Sequence, residues 1–306
     1  MNVAIIGANG FIGRQLVNKL KNNTTINLYL FGRSKESFFS FDLPYTSINL
    51  NNSQEILVNF KSIDLVYYFA SSSIPSSSWE SPQQEIKENL LPFINFLECI
   101  SILNVKKIVF TSSAGTIYGS SKYSLKETAD KHPFSPYGIN KLSMEYFLNY
   151  FDKLNGLKHV VFRISNVYGE GQNTSNGLGV INTFLEKIVA NKVIEVFGDG
   201  EIVRNYIYIQ DVVEVLAMVS MDESLISKTY NLSSDESFSI NQIIKKINQI
   251  TKNQLEVKYH PSRKSDNPII LLDNTKLKQD YKIQFTSILD GIQNTYSYLD
   301  ATKSKV

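Results

Sequence analysis

Short apolar runs alternate with amphipathic stretches along the first half of the chain. NVAIIG (2–7), INLYLFG (26–32), IDLVYYFA (63–70), KKIVFTS (106–112) and LKHVVFRI (157–164) are rich in β-branched and aromatic residues, as strands covered on both faces are. Between them the period changes. Ile12, Leu16, Val17 and Leu20 follow the first run, and Ile86, Leu90, Phe93, Leu97 and Ile100 recur at spacings of four and three, which predicts amphipathic helices. The alternation predicts an α/β fold with a Rossmann-type, doubly wound parallel sheet. Beyond Arg163 the rhythm loosens into NVYGEGQNTSNGLG and FGDGEIVRN, with helices expected near 179–190, 210–220, 239–250 and 286–299. That half predicts a smaller C-terminal α/β lobe built on loops, where binding residues tend to sit. The expected division is one domain over 1–167, rejoined by about 195–235, and a lobe formed by 168–194 and 236–306.

Composition narrows the function classes. The chain has 306 residues, 42% of them hydrophobic, and a formal net charge of +2. No basic tract of the kind that tracks a phosphate backbone is present, so nucleic acid is not an expected partner. The single cysteine, Cys99, rules out an intrachain disulfide framework and suits a reducing cytoplasm. His132, His159 and His260 are scattered without metal-ligand spacing, and no metal site is expected. The N-terminal MNVAIIG has no basic segment before its apolar run, and no stretch reaches the ~20 apolar residues that span a bilayer. A soluble cytoplasmic protein, with no membrane insertion, is the expectation.

The first chemistry-bearing motif is GANGFIG, with Gly7, Gly10 and Gly13 directly after the first strand and opening a helix. Glycines there allow a tight turn and a close approach of backbone to a pyrophosphate, whose charge the helix amides and dipole hold. Asn9-Gly10 is also a favoured hairpin pair, but the residues that follow have helical rather than alternating period. The 1–167 domain is therefore expected to bind a dinucleotide. In such folds an acidic residue usually ends the second strand and bonds the adenosine ribose when the cofactor is NAD. Here that strand ends LFGRSK, with Gly32, Arg33 and Ser34 and no carboxylate. Arginine and a hydroxyl can accommodate a 2′-phosphate, so the expectation leans to NADP; the other reading is NAD with Arg33 stacked on the adenine.

PYGINKLSMEY places Tyr137 and Lys141 one turn apart on one helical face. As a surface contact such a pair is worth a few tenths of a kcal/mol. Beside an oxidised nicotinamide, a lysine ammonium instead favours phenolate and lowers a phenol pKa that starts near ~10. The tyrosine then becomes a general base for a substrate hydroxyl. Thr111, Ser112, Ser113 and Thr116 crowd the end of the KKIVF strand, the sheet edge at which doubly wound folds bind ligands. A hydroxyl there can bond the reacting oxygen.

Gly7-x-x-Gly10-x-x-Gly13, SSAGTIYG and SPYGINK together resemble the extended short-chain dehydrogenase/reductases, in their nucleotide-sugar epimerase/dehydratase branch, and the resemblance runs nearly end to end. It implies an NAD(P)-dependent enzyme whose cofactor lies along Gly7, Asn9, Gly10, Phe11, Ile12, Gly13, Gly32, Arg33, Ser34, Asn49, Leu50, Phe69, Ala70, Ser71 and Asn89, with Tyr137 and Lys141 at the nicotinamide. RISNVYGEGQ and IVRNYIYIQD resemble substrate segments of that branch and imply Asn166 and Arg204 on a nucleotide diphosphate. RKSDNPIILLDNTKLKQ implies Arg263 on the diphosphate and Asp266 on the nucleoside ribose. The chain departs from the pattern in three places. The family aspartate after the arginine is Asn205, the 4-epimerase serine position holds Ala114, and the dehydratase Asp-Glu pair is replaced by Gly115 and Thr116. Without carboxylates there, 4,6-dehydration is not expected, and Ser113 or Thr116 is left to present the hydroxyl.

The activity this implies is 4-epimerisation of a UDP- or dTDP-hexose through a 4-keto intermediate, with Tyr137, Lys141, Ser113 and Thr116 catalytic and Ser113 also on the substrate. An NADPH-dependent 4-ketoreductase would use the same residues. A sensor or scaffold that binds NADP without turnover is the reading from another class. The position that helps gate N-acetylated sugars in the branch is Ile270. Relatives dimerise through helices matching about 84–103 and 137–154, so a homodimer is the expectation.

Overall fold

The structure, a computed structural model, describes every residue except 42, 104, 176, 178, 223, 225, 253–255, 263–268 and 304–306. In chain order the first part runs β1 (Asn2–Ile6), α1 (Phe11–Leu20), β2 (Asn27–Gly32), β3 (Tyr45–Ser47), α2 (Ser53–Asn59), β4 (Leu65–Tyr68) and α3 (Pro82–Glu85). It continues with α4 (Leu91–Ser101), β5 (Lys107–Ser113), α5 (Ala114–Ile117), β6 (Ser124–Leu125), α6 (Pro136–Asn155), β7 (Lys158–Ile164) and β8 (Asn166–Tyr168). Then come α7 (Val180–Val189), β9 (Ile194–Phe197), β10 (Val203–Tyr208), α8 (Ile209–Met221), β11 (Lys228–Leu232) and β12 (Ser237–Ser239). The chain closes with α9 (Ile240–Thr251), β13 (Val257–His260), β14 (Ile269–Leu272), α10 (Thr275–Tyr281) and α11 (Ile288–Lys303).

Two compact units share this chain. Unit 1 comprises Met1–Ile117, Lys131–Arg163 and Val213–Tyr230, and unit 2 comprises Tyr118–Asp130, Ile164–Val212 and Asn231–Val306. Unit 1 is built on a seven-stranded sheet of order β11-β7-β5-β4-β1-β2-β3. All five apolar runs of the sequence are strands of it, and the pairings of β1 with β2 and β4, and of β4 with β5, are parallel. The Rossmann-type α/β architecture is therefore borne out. Its middle strands are inaccessible because helices cover both faces: β4 is buried throughout and β5 in all but its last residue. Phe31, Phe60, Phe93, Phe96, Tyr68 and Phe110 interlock on one side. Offset and edge contacts of this kind add to the apolar burial.

One helix departs from its expected form. The stretch expected over about 84–103 is broken by a π-turn at Ile86–Leu90, between α3 and α4. Pro92 stands just beyond it. A proline has no N–H to give to the carbonyl four residues back, and a widened turn absorbs the defect. α6 by contrast is regular over 20 residues, capped at its start by the Ser135 side chain accepting from the Gly138 N–H and ended by Gly156 at φ +75°. A buried ion pair anchors it to β7: Arg163 donates to Glu145 through Nη2 at 2.7 Å and Nε at 3.1 Å.

Unit 2 carries a mixed five-stranded sheet in which β12, β10, β14 and β6 follow one another and β8 pairs with β10. The amphipathic α9 is capped by a reciprocal Ser239–Gln242 box, which satisfies two otherwise orphan donors. Residues 118–130, 164–167, 195–212 and 231–235 cluster with this unit, whereas the sequence predicts them in the first domain. Among the described residues no helix is long and apolar enough to cross a membrane, and no group of three or more His, Cys, Asp or Glu could hold a metal ion.

Candidate active site

The turn after β1 is shaped by what its glycines lack. Gly7 has φ +85°, and a Cβ there would stand 3.0 Å from the Ala70 nitrogen; one on Gly13 would stand 2.3 Å from the Gly7 carbonyl oxygen. The start of α1 thus lies directly on the turn, and β1 lies against the end of β4. Gly10 is the N-cap of α1 without a side-chain cap, and no acidic residue sits in the first turn. The first amides of a ten-residue helix are left open to an anion. Phe11 and Ile12 begin this helix, half-buried.

A cleft of about 940 Å³ opens beside the turn. Among its walls are Gly7, Asn9, Gly10, Gly32, Arg33, Ser34, Asn49, Leu50, Phe69, Ala70, Ser71 and Asn89. Gly13, Phe11 and Ile12 are outside that lining. A glycine cradle that a Cβ would fill, open helix amides and a long cleft fit a dinucleotide. Asn89 does structural work as well: its Oδ1 accepts from the Ser72 N–H at 2.8 Å, and its Nδ2 donates to Glu85 Oε1 at 3.1 Å.

Tyr137 and Lys141 sit on the first turns of α6. Gly138 is required there, because a Cβ would meet the Thr116 carbonyl oxygen at 2.4 Å; the Tyr137 turn therefore packs on α5. The Tyr137 hydroxyl makes no hydrogen bond among the described residues. Lys141 is buried, donates to the Thr111 carbonyl at 3.1 Å, and stands 5.6 Å from the Tyr137 ring centroid. Of the candidate hydroxyls, Ser113 is half-buried at the end of β5, and Thr116 Oγ1 reaches only the Ser113 carbonyl at 3.5 Å. Ser112 is buried with its Oγ unpartnered.

The electrostatics differ from expectation. Burial, opposed by the Glu85 and Glu145 carboxylates, pushes the Lys141 ammonium down to about 8. Burial and then the Glu85 charge push the Tyr137 phenol up rather than down. The protein's own groups thus hold Tyr137 as phenol, and any phenolate must draw on charge brought by a ligand. Glu85, absent from the sequence-level site, accepts from Asn140 Nδ2 at 3.3 Å while its carbonyl accepts from the same nitrogen at 2.8 Å.

In unit 2, β8 pairs with β10 so that Asn166 lies beside Tyr206, two residues beyond Arg204. Strand alternation puts Arg204 and Tyr206 on one face, which gathers Asn166 and Arg204 together. Asn166 Nδ2 donates to the Asn205 carbonyl at 3.1 Å, and Ile270 lies beside Arg204 in β14, buried. Asn205 accepts from the Leu272 N–H at 3.0 Å and donates to the Glu236 carbonyl at 3.1 Å. An aspartate could not make the second bond. Arg263 and Asp266 lie outside the described residues.

Residues 3–233 match the model of the NAD dependent epimerase/dehydratase family. The chain belongs to that family. It is accordingly an NAD(P)-dependent enzyme of the extended short-chain dehydrogenase/reductase fold. Among solved structures it is similar to the UDP-glucose 4-epimerase of Thermotoga maritima with UDP-glucose, at TM-score 0.93 and 30% identity over 99% of this chain and 100% of that one. The Thermus thermophilus UDP-glucose 4-epimerase complex with NAD matches at TM-score 0.90 and 25% identity, over 98% of this chain and 99% of that one. A dTDP-4-dehydro-6-deoxyglucose reductase of Escherichia coli is 32% identical over 257 residues, 80% of each chain.

Proposed function

We propose that this family member is a nucleotide-sugar 4-epimerase that oxidises a UDP- or dTDP-hexose transiently at C4 through a 4-keto intermediate. Tyr137 carries the reading: a phenol with no hydrogen-bond partner among the described residues, one turn before a buried lysine and on a turn packed against Thr116 of α5. The likeness to an epimerase with UDP-glucose supports the substrate class. The nicotinamide of a bound dinucleotide would supply the acceptor and donor of hydride at C4. Gly7, Gly10 and Gly13, with the open amides of α1, would hold its pyrophosphate, and Arg33 and Ser34 would hold its adenosine end. Tyr137 Oη takes the C4 hydroxyl proton as the alcohol becomes a ketone, and returns it when the ketone is reduced on its other face. Ser113 or Thr116 donates to the forming carbonyl oxygen, and the Lys141 ammonium stabilises the phenolate. Asn166, Arg204 and Arg263 suit a diphosphate through charge-assisted bonds, with Asp266 on the nucleoside ribose. Purified protein given UDP-glucose and no added dinucleotide is expected to form the C4 epimer. Tyr137→Phe is expected to lose about 10²- to 10⁴-fold of that rate while still binding dinucleotide; unchanged turnover would sink the reading.

A second reading, an NADPH-dependent 4-ketoreductase, is favoured by the missing carboxylate at Gly32 and by the 32% identical reductase. Stoichiometric NADPH consumption with a 4-keto sugar, and no epimer without it, would select it. For the cofactor we read NADP ahead of NAD, on Gly32, Arg33 and Ser34. Exposed Ile139, Tyr146, Tyr150 and Leu154 on α6, with Leu91 on α4, support a homodimer through those helices, which light scattering tests. The single free cysteine, Cys99, suits a cytoplasmic location.

A further inference from the structure

The strand next to Gly32 explains why that position carries no side chain. β3 runs parallel to β2, with Tyr45 beside Leu30 and Ser47 beside Gly32. The Tyr45 hydroxyl oxygen lies 2.7 Å from where a Cβ on Gly32 would stand, with Cζ next at 3.5 Å. That phenol is pinned. It donates to the Ser34 carbonyl at 2.8 Å and accepts from Asn9 Nδ2 at 3.1 Å. Asn9 in turn donates to the Glu36 carbonyl at 2.9 Å and accepts from the Phe38 N–H at 3.0 Å. Tyr45 and Asn9 together tie the loop 33–38 to the glycine turn, and a side chain at Gly32 would meet the phenol oxygen and require it to shift.

Charges of both signs flank this point. Arg33 is exposed, in no close ion pair among the described residues but near enough to Glu88 to help lower that carboxyl, and the hydroxyls of Ser34 and Ser47 line the same cleft. The carboxylates that also reach the cleft are engaged: Glu55 accepts from the Asn49 N–H at 2.9 Å and from Asn52 Nδ2 at 2.8 Å, and Glu88 accepts from Gln84.

We propose that Tyr45 is a specificity-determining residue: its phenol occupies the place a ribose-binding carboxylate would need, leaving Arg33, Ser34 and Ser47 to receive a 2′-phosphate. The inference rests on the reading of this cleft as a dinucleotide site. A carboxylate at the end of β2 would bond a free 2′-hydroxyl and repel a 2′-phosphate; an uncharged phenol already committed to a carbonyl does neither.

Two measurements test it. Dissociation constants for NADPH and NADH, by fluorescence titration, are expected to favour NADPH by about ten-fold or more in the wild type. Gly32→Asp alone is expected to weaken both, because the displaced phenol releases the loop. Gly32→Asp combined with Tyr45→Ala is expected to recover NADH binding with the preference inverted. The second measurement needs no cofactor. Gly32→Ala should lower the melting temperature markedly when Tyr45 is present and much less in a Tyr45→Phe background, where the nearest ring atom stands at ordinary contact distance. An equal drop in both backgrounds, or inversion by Gly32→Asp as complete without the Tyr45 change, would overturn the proposal. So would equal wild-type affinity for the two nucleotides, which leaves the dinucleotide reading intact. Wild type binding neither would overturn that reading and the proposal with it.

Discussion

Replacing Lys141 by methionine should make the protein more stable and less active. The ammonium is enclosed by α6 and β5, and burial lowers its pKa from 10.5 to about 8. A base with a lowered folded-state pKa binds protons more weakly in the native than in the unfolded chain. Stability is therefore least below about pH 8, rises as pH climbs from 8 toward 10.5, and levels off above that. At 1.36 kcal/mol per unit the strain of holding the charge is on the order of 3 kcal/mol at neutral pH. Loss of the bond to the Thr111 carbonyl removes about 1 kcal/mol of this gain. Glu145 keeps Arg163 and Glu85 keeps two side-chain amides, so neither carboxylate is orphaned. Methionine fills a similar volume, and the net expectation is ~2 kcal/mol of stabilisation, a rise in Tm of roughly 3–6 °C. Thermal melts of both proteins from pH 7 to 10 would show the difference shrinking as the wild type loses its proton, with turnover of Lys141→Met low throughout. A variant less stable than wild type at pH 7, or a stability gap that does not narrow with pH, would refute the reasoning.

Glu85→Gln keeps an acceptor for Asn140 but removes a charge that raises the Tyr137 pKa; the ascending limb of kcat/KM against pH should move to lower pH. Arg163→Met leaves the Glu145 carboxylate buried without its guanidinium partner and should cost about 3–5 kcal/mol in denaturant unfolding. Asn205→Asp, although it restores the family residue, loses the donor to the Glu236 carbonyl and should destabilise by about 1–3 kcal/mol at neutral pH.

Five strands of the unit 1 sheet were legible because each carries a cluster of consecutive apolar residues, which burial on both faces demands. β3 and β11 were not: YTS and KTYNL are too short and too polar to establish a period. The same holds for β6, β8 and β12, of two or three residues each, while β14, although apolar, is only four residues long, so unit 2 could be read only as loops with helices. Gly7, Gly10 and Gly13 announced the cradle because only glycine tolerates those approaches. The charge state of Tyr137 was not legible. It depends on Glu85, 52 residues earlier in the chain, brought near by tertiary packing that no local pattern encodes. Tyr45 was hidden for the same reason: its hydroxyl matters through Gly32, a contact made across two strands.

The central claim is that Tyr137 serves an alcohol oxidation at C4. Its most direct test is conversion of UDP-glucose carrying deuterium at C4, followed by NMR in ordinary water. The account predicts a slowed reaction whose epimeric product keeps the deuterium at C4, and loss of that reaction in Tyr137→Phe. Exchange of the label into solvent, or epimer formed at full rate by Tyr137→Phe, would contradict it.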